Sequence, residues 1–224
     1  MAQVKLTKKE LEHDPLQDAL FDLVHKAYEH RLALISGAVA VLLVAGAALG
    51  GYAYYLNQRR AAAEAFYRAT AILDDTALTQ EESFKQAAAA FTTFVSQYSQ
   101  SRLAPAAHLY LAKIAWHQQA LEDAAHQFRQ VLDEGDALPE QRAIALTGLG
   151  MVLETQGKPD QAKSTYEQLP DPPFGDLKAF NLGRLAMASG NDAEARRQFQ
   201  RVIAAGTDEV ELSQQAKDAL SFLP

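Results

Sequence analysis

The sequence contains no cysteine, which excludes disulfide bridges and cysteine-ligated zinc sites. It also lacks a strongly basic stretch. Over the whole chain 28 Asp and Glu outnumber 21 Lys and Arg, which gives a formal net charge of −7. A basic surface is needed to neutralise a phosphate backbone, so we expect no nucleic-acid partner. Aromatic residues make up only 8% of the chain, whereas hydrophobic residues, with abundant Ala and Leu, reach 48%. That composition provides a core and favours helices over sheets.

Patterns that carry catalysis or bind cofactors are missing too. The sequence has no GxSxG motif, no phosphate-binding loop and no HExxH or HxxxH pair. His108, His117 and His126 are spaced by nine residues, which turns a helix by about 180° and points neighbouring members of the series apart. We therefore predict a protein that is not an enzyme, with no catalytic residue, no metal site and no cofactor.

One long segment carries no charge at all, from Leu32 to Leu56. A helix rises about 1.5 Å per residue, so this run exceeds the ~30 Å hydrocarbon core of a bilayer. Tyrosines cluster at its end and Arg59 and Arg60 follow, as is typical of a membrane interface. The alternative is a signal peptide cleaved near residues 45–47, but its polar and apolar parts would both be unusually long. We predict an uncleaved, single-pass transmembrane helix.

Basic residues flank this segment almost evenly. Only Lys5, Lys8 and Lys9 favour a cytoplasmic N-terminus, and they do so weakly.

Gly46 and Gly50 form a GxxxG pattern, which permits close helix–helix contact and a homodimer through the segment. The same spacing also arises by chance in a span rich in Ala and Gly, so a dimer contact and a chance pattern both remain open.

The N-terminal arm, residues 1–31, predicts a short amphipathic helix. Asp14 is a good helix cap and Pro15 suits a first helical turn. Apolar residues then recur at helical spacing while acidic residues occupy other faces; the apolar positions are Leu16, Leu20, Leu23, Val24 and Ala27. Such a helix either lies on the membrane, extends the anchor or docks a partner.

Beyond the uncharged segment, one pattern occurs three times. A Leu–small pair is followed by an alanine twelve residues after the small residue, and by an aromatic four residues later. The three sets are Leu111-Ala112 with Ala124 and Phe128, Leu149-Gly150 with Ala162 and Tyr166, and Leu182-Gly183 with Ala195 and Phe199. The units are 38 and 33 residues apart, close to the ~34-residue tetratricopeptide repeat, in which helix A, a turn and helix B form one unit.

These repeats predict an all-α fold. A small residue on helix A lets helix B approach closely, and the aromatic residue fills space against the next repeat. Ala61–Leu73, with Ala87 and Phe91, indicates a degenerate first repeat, Leu169–Leu177 a loop, and residues 212–223 a capping helix. The predicted domains are the arm 1–31, the transmembrane helix 32–56, and a tetratricopeptide-type solenoid of three to four repeats with a C-terminal capping helix, 57–224. The alternative is an unrelated helical bundle with alanine-rich seams.

The register of the Leu–small pairs predicts a protein-binding groove. In a tetratricopeptide array the concave groove is lined chiefly by the A helices. Trp and Arg are frequent hot-spot residues, and Met adapts to varied ligands. The predicted binding residues are Leu109, Lys113, Trp116 and His117 in one repeat, Thr147, Met151 and Glu154 in the next, and Phe180, Arg184 and Met187 in the last. The alternative is that they form ordinary core or pack against helix 209–223.

Two stretches of the chain resemble a bacterial family. Asn181–Phe199 is similar to the last repeat, and Phe84–Tyr98 to the first, of the membrane-anchored tetratricopeptide proteins that are ancillary subunits of the Sec translocon. The resemblance covers residues 20–205 approximately. It implies an inner-membrane protein with a cytoplasmic N-terminus and a periplasmic repeat domain, which contacts the Sec translocon, periplasmic chaperones or emerging clients.

The predicted function is that of a membrane-tethered protein-interaction scaffold. Its role would be to assist protein export or envelope protein quality control by holding partner or client segments in the repeat groove. The alternative is an envelope assembly factor that organises division, secretion or outer-membrane machinery.

Overall fold

The computed structural model describes residues 15–205 and 210–223. Within these ranges the chain is helical and contains no strand, which confirms the predicted all-α fold class. The helices are α1 (Pro15–Glu29), α2 (Arg31–Leu73), α3 (Gln80–Gln97), α4 (Ala104–His117), α5 (Leu121–Asp133), α6 (Pro139–Thr155), α7 (Pro159–Glu167), α8 (Gly175–Ala188), α9 (Asp192–Ala205) and α10 (Val210–Ser221).

The chain divides into two compact units between Gln58 and Arg59. The first unit holds α1 and the N-terminal part of α2. α1 is helical from Pro15, the first described residue. Its predicted cap, Asp14, and the three lysines that favour a cytoplasmic N-terminus lie outside the described residues.

Helix α2 contains the uncharged segment. Among the described residues it is the one helix long and apolar enough to span a membrane, and none of its most apolar stretch is buried. A signal sequence near an N-terminus meets the same criteria of length and hydropathy, so the membrane anchor stays a prediction. A Cβ atom added at Gly46 or Gly50 would meet no other atom within 4 Å. The predicted dimer contact through these glycines also stays a prediction.

The second unit is a series of paired helices. Residues 59–73 of α2 and helix α3 form repeat 1. Repeats 2, 3 and 4 are the helix pairs α4–α5, α6–α7 and α8–α9. The degenerate first repeat predicted from Ala87 and Phe91 is therefore present. α3 starts at a capping box, in which the Glu82 backbone N–H donates to the Thr79 hydroxyl and the Thr79 N–H donates to the Glu82 carboxylate.

Aromatic rings form the core of repeat 1. The ring centroid of Phe66, on α2, lies 5.7 Å from those of both Phe91 and Phe94 on α3. Phe91 also stacks on Tyr110 of α4, with 4.9 Å between the ring centroids. Because α2, α3 and α4 all contribute, this cluster joins the two helices of repeat 1 to repeat 2.

Small residues lie where helix A crosses helix B, as the sequence pattern predicted. A Cβ atom at Gly150 would fall 2.2 Å from the ring of Tyr166, and one at Gly183 would fall 2.9 Å from the ring of Phe199. The space that a side chain would occupy is therefore filled by the aromatic residue of the paired helix. On helix B the corresponding alanines are fully buried, at Ala124, Ala162 and Ala195.

The turns between helices A and B share one geometry. Gln119, Gly157 and Gly190 occupy the same place after α4, α6 and α8, with φ angles of 60°, 71° and 72°. In each turn the backbone N–H of the following residue donates to a carbonyl five residues earlier, as in a Schellman motif. The turn after His117 therefore has the same geometry as the other two, with glutamine in the place of glycine.

Replacing Gln119 with glycine is expected to raise the free energy of unfolding by about 1 kcal/mol. A left-handed backbone costs an L-residue roughly 1–2 kcal/mol, and glycine avoids most of that cost. Urea denaturation of the fragment 59–224 measures the change. As the control, Gly190→Gln should lower stability by a similar amount; if both variants unfold at the wild-type midpoint, the backbone at these turns is not strained.

The loop before α8 is shorter than predicted. Leu177 was placed in the loop but lies inside α8, where the Lys178 N–H donates to the Phe174 carbonyl at 2.9 Å. The three prolines all precede the helix. Gly175 and Asp176 resemble turn residues, but an acidic side chain is also favourable in the first turn of a helix. The helix therefore begins earlier than the turn signals indicated.

Helix α10 closes the solenoid as a cap. Ala216 is fully buried and packs with Ala179, Phe199 and Val202 of repeat 4. This position matches the predicted C-terminal capping helix. Its polar residues face solvent, as a terminal repeat surface requires.

Candidate protein-binding groove

An open, largely apolar cleft of about 590 Å³ lies between the A helices of repeats 2 and 3. Helices α4 and α6 form its two walls, Phe128 of α5 contributes between them, and Leu177 of α8 lies at one side. Half of the predicted binding residues line it, namely Leu109, Lys113, Trp116, Thr147 and Met151.

Six lining residues were not predicted. They are Ala106, Tyr110, Phe128, Ile144, Gly148 and Leu177. Helical spacing could have found most of them, because Ala106 and Tyr110 lie one turn from predicted positions on α4, and Ile144 lies one turn before Thr147 on α6. Phe128 and Leu177 come from other helices, and only the packing of the repeats places them here.

The chemistry of the cleft is apolar with one cation. Ile144 is 55% exposed and Met151 is 39% exposed, so both present uncovered apolar surface. Lys113 is exposed, and no ion pair joins its ammonium group to a carboxylate among the described residues. Such a surface suits an apolar segment, with a negative charge placed near Lys113.

Trp116 forms part of the wall and part of the core. Its side chain is partly buried and packs against the cluster that contains Ala112, Ala124 and Phe128. Truncating Trp116 would therefore remove core contacts together with the groove wall. Ile144 and Met151 are cleaner positions for testing binding.

Glu154 and Arg184, also predicted for the groove, are already paired with each other. The two guanidinium nitrogens of Arg184 donate to the two carboxylate oxygens of Glu154, at 2.7 and 3.1 Å. The Tyr166 hydroxyl donates to Glu154 at 2.5 Å and accepts from Arg184 at 3.1 Å. This network joins repeats 3 and 4. Burial raises the pKa of Tyr166 well above its usual value near 10, and the hydrogen bond to Glu154 adds to the rise.

This network predicts a tyrosine-specific loss of stability at alkaline pH. In the unfolded chain Tyr166 ionises near pH 10, whereas in the folded chain it stays protonated to higher pH. The contribution of the protonated Tyr166 hydroxyl to the free energy of unfolding is therefore fully present below about pH 10, and it is lost as the pH rises further. We expect the stability of the wild-type fragment 59–224 to fall more steeply above pH 10 than that of Tyr166→Phe. Tyr67→Phe, at an exposed position, should follow the wild type; equal slopes for all three would contradict the prediction.

The remaining predicted residues lie elsewhere. Phe180 and Met187 pack against the cluster formed by α8, α9 and α10, and the ring centroid of Phe180 is 5.9 Å from that of Phe199. His117 is exposed, with its ring centroid 5.3 Å from that of Phe84 on α3. None of the three lines the cleft between α4 and α6.

A second cavity, of about 680 Å³ and lined by more polar residues, lies among α3, α4, α5 and the loops after α3 and α5. His108 lies in its wall, with Nδ1 2.7 Å from the Gln127 amide oxygen and Nε2 3.4 Å from a Glu134 carboxylate oxygen. Burial, and then the nearby Asp136, raise the pKa of Glu134. In the part of the chain that the structure describes, no three His, Asp or Glu side chains are grouped as metal ligands.

Comparisons with known proteins agree with the repeat architecture. No curated protein matches the sequence. The family described as tetratricopeptide repeat-like domain matches residues 26–221, which is most of the chain. Helical repeats of this type serve as scaffolds for protein–protein interaction and are typically not enzymes. The chain, with its paired helices, shared turns and apolar cleft, belongs to the tetratricopeptide repeat-like domain family.

Proposed function

We propose that this protein is a membrane-tethered scaffold that binds an apolar segment of a partner protein between α4 and α6. The observation that carries the proposal is the cleft itself, whose walls expose Ile144 and Met151 instead of covering them. Exposed contiguous apolar surface of this kind marks interaction sites in soluble domains. The Phe180, Met187 and His117 positions are not part of the proposed site.

The bound segment is apolar and carries an acidic residue that reaches Lys113. Apolar side chains would cover Leu109, Ile144 and Met151, and a carboxylate would pair with Lys113, the one charged side chain among the described residues that line the cleft. Because Glu154 and Arg184 already satisfy each other, they shape the neighbouring surface without supplying a free charge.

The proposed location is the bacterial inner membrane. Helix α2 would span it once, with the N-terminus in the cytoplasm and the repeats in the periplasm. The resemblance to ancillary Sec translocon subunits and the lysines at positions 5, 8 and 9 support this topology. Tethering would raise the local concentration of the groove near segments emerging from the translocon, and so assist export or envelope protein quality control.

A photoactivatable crosslinking residue at Met151 tests this function in intact membranes. We expect adducts with the Sec translocon, periplasmic chaperones or exported clients. Leu138 provides a matched control, since it is apolar and 58% exposed but lies outside the cleft. Adducts no stronger at Met151 than at Leu138 would rule out the groove. Adducts chiefly with division or outer-membrane components would favour an envelope assembly factor.

The double variant Ile144→Ser and Met151→Ser should weaken binding without unfolding the domain. Hot-spot residues contribute upwards of ~2 kcal/mol, so we expect the amount of copurified partner to fall at least about tenfold. The urea midpoint should change little, because both side chains are substantially exposed. Leu138→Ser, the control, should leave copurification unchanged; because Leu138 is the N-cap of α6 and serine can cap that helix, its urea midpoint should stay the same or rise slightly. Undiminished copurification by the double variant would contradict the proposal.

A further inference from the structure

Helix α1 presents an apolar face that none of the described residues of its unit, 15–58, covers. Leu20, Phe21, Leu23, Val24 and Tyr28 are each more than 60% exposed. At about 100° per residue these side chains fall within one arc of roughly 160°. The charged residues of the helix lie on the other side, at Asp18, Asp22, Lys26 and Glu29.

The helix ends beside the uncharged segment. Across the junction, the His30 N–H donates to the Lys26 carbonyl at 3.0 Å and the Leu34 N–H donates to the His30 carbonyl at 2.9 Å. His30 nevertheless interrupts the helix, so that α1 ends at Glu29 and α2 starts at Arg31. A one-residue junction keeps the C-terminal end of α1 at the same depth as the start of the uncharged segment.

The side chains at the junction are those that favour a headgroup layer. The Arg31 guanidinium carbon lies 4.5 Å from the centroid of the Tyr28 ring. A tyrosine ring combines an apolar body with a polar hydroxyl, and arginine stacks on it while reaching water or phosphate. This pair joins the apolar face of α1 to the start of α2.

We propose that α1 is an interfacial helix that lies on the bilayer surface with its apolar face against the acyl chains. The proposal rests on the proposed function, in which α2 spans the membrane. Two features favour lipid over a protein partner, namely the one-residue junction and the Tyr28–Arg31 pair. The polar face carries three carboxylates and one lysine, so it does not attract anionic lipid. The Glu29 carboxylate lies 3.4 Å from His25 Nε2. The surface that fits is therefore zwitterionic, bound through apolar area.

Single spin labels on the full-length chain test this arrangement. Because the chain has no cysteine, labels can be attached without removing native residues, at Leu20→Cys and Leu23→Cys on the apolar face and Asp22→Cys and Lys26→Cys on the polar face. Val44→Cys reports on α2. The protein is reconstituted in phosphatidylcholine vesicles, and collisions with oxygen, which enters lipid, and a water-soluble nickel chelate are measured.

The expected result is that labels at positions 20, 23 and 44 collide with oxygen and lose collisions with nickel, while those at 22 and 26 show the reverse. Adding phosphatidylglycerol should not increase the immersion of positions 20 and 23. Labels at 20 and 23 that meet nickel while position 44 is in lipid would overturn this inference alone. Shielding of 20 and 23 from both reagents would show a protein contact and overturn it as well. Nickel access at position 44 would overturn the membrane tether and this inference together.

Discussion

Replacing Gly150 with alanine is expected to lower the free energy of unfolding of the fragment 59–224 by about 3 kcal/mol, the upper end of what overpacking costs. The new Cβ would lie 2.2 Å from the ring of Tyr166. That ring is fully buried, and its hydroxyl is hydrogen-bonded to Glu154 and Arg184. It cannot move aside without breaking those bonds or separating α6 from α7. Urea denaturation followed by circular dichroism measures the loss.

Two other glycines calibrate this result. Gly183→Ala should cost less, because its Cβ would lie 2.9 Å from the ring of Phe199 rather than 2.2 Å away. Gly135→Ala should be neutral or slightly stabilising, since no atom lies within 4 Å of the added Cβ and alanine restricts the unfolded chain. If Gly150→Ala unfolds at the same midpoint as Gly135→Ala, the close contact between α6 and α7 does not hold in solution.

Truncating Phe91 to alanine is expected to have the largest effect, a loss of about 4 kcal/mol. The side chain is fully buried and touches rings from two other helices, Phe66 of α2 and Tyr110 of α4. Its removal leaves a cavity at the junction of repeats 1 and 2, and the lost ring contacts add to the cost. Thermal and urea unfolding of the fragment 59–224 both report the change.

Phe222 supplies the matched control for this substitution. It is also a phenylalanine, but it is 80% exposed. Phe222→Ala should therefore change the stability by less than about 0.5 kcal/mol. A loss below about 1 kcal/mol for Phe91→Ala would mean that repeat 1 does not contribute its core to the cooperative unit.

Most of the repeat architecture could be predicted from the sequence because tetratricopeptide packing is local. Gly150 and Tyr166 are sixteen residues apart, and the contact between them follows from one turn and two helices of known rise. The turn at Gln119 was harder to recognise, since glutamine there adopts a backbone conformation that usually identifies glycine. The early start of α8 was missed because Gly175 and Asp176 suit a turn and a first helical turn equally well.

The groove was less predictable because its shape depends on contacts between repeats. A single helical row per repeat selected Leu109 and Met151, which both line the cleft, but it could not show that Leu177 of α8 lines the same cleft. Nor could it show that Arg184 pairs with Glu154, thirty residues away. Phe180 lies on helix A of repeat 4, at a position predicted to face the groove. Helix α10 packs on that repeat, and the Phe180 side chain packs in the cluster formed by α8, α9 and α10.

The contact between Phe128 and Gly148 connects ligand binding to the integrity of the solenoid. Phe128 belongs to repeat 2 and Gly148 to repeat 3, and a Cβ at Gly148 would fall 2.2 Å from the Phe128 ring. Both residues also line the cleft, so a segment bound as proposed would rest directly on the contact between two repeats. In a linear array each repeat is held only by its neighbours. Occupancy of the cleft would therefore strengthen the link between the two halves of the array, and amide hydrogens in α9 and α10, whose described residues do not line the cleft, should exchange more slowly when it is filled.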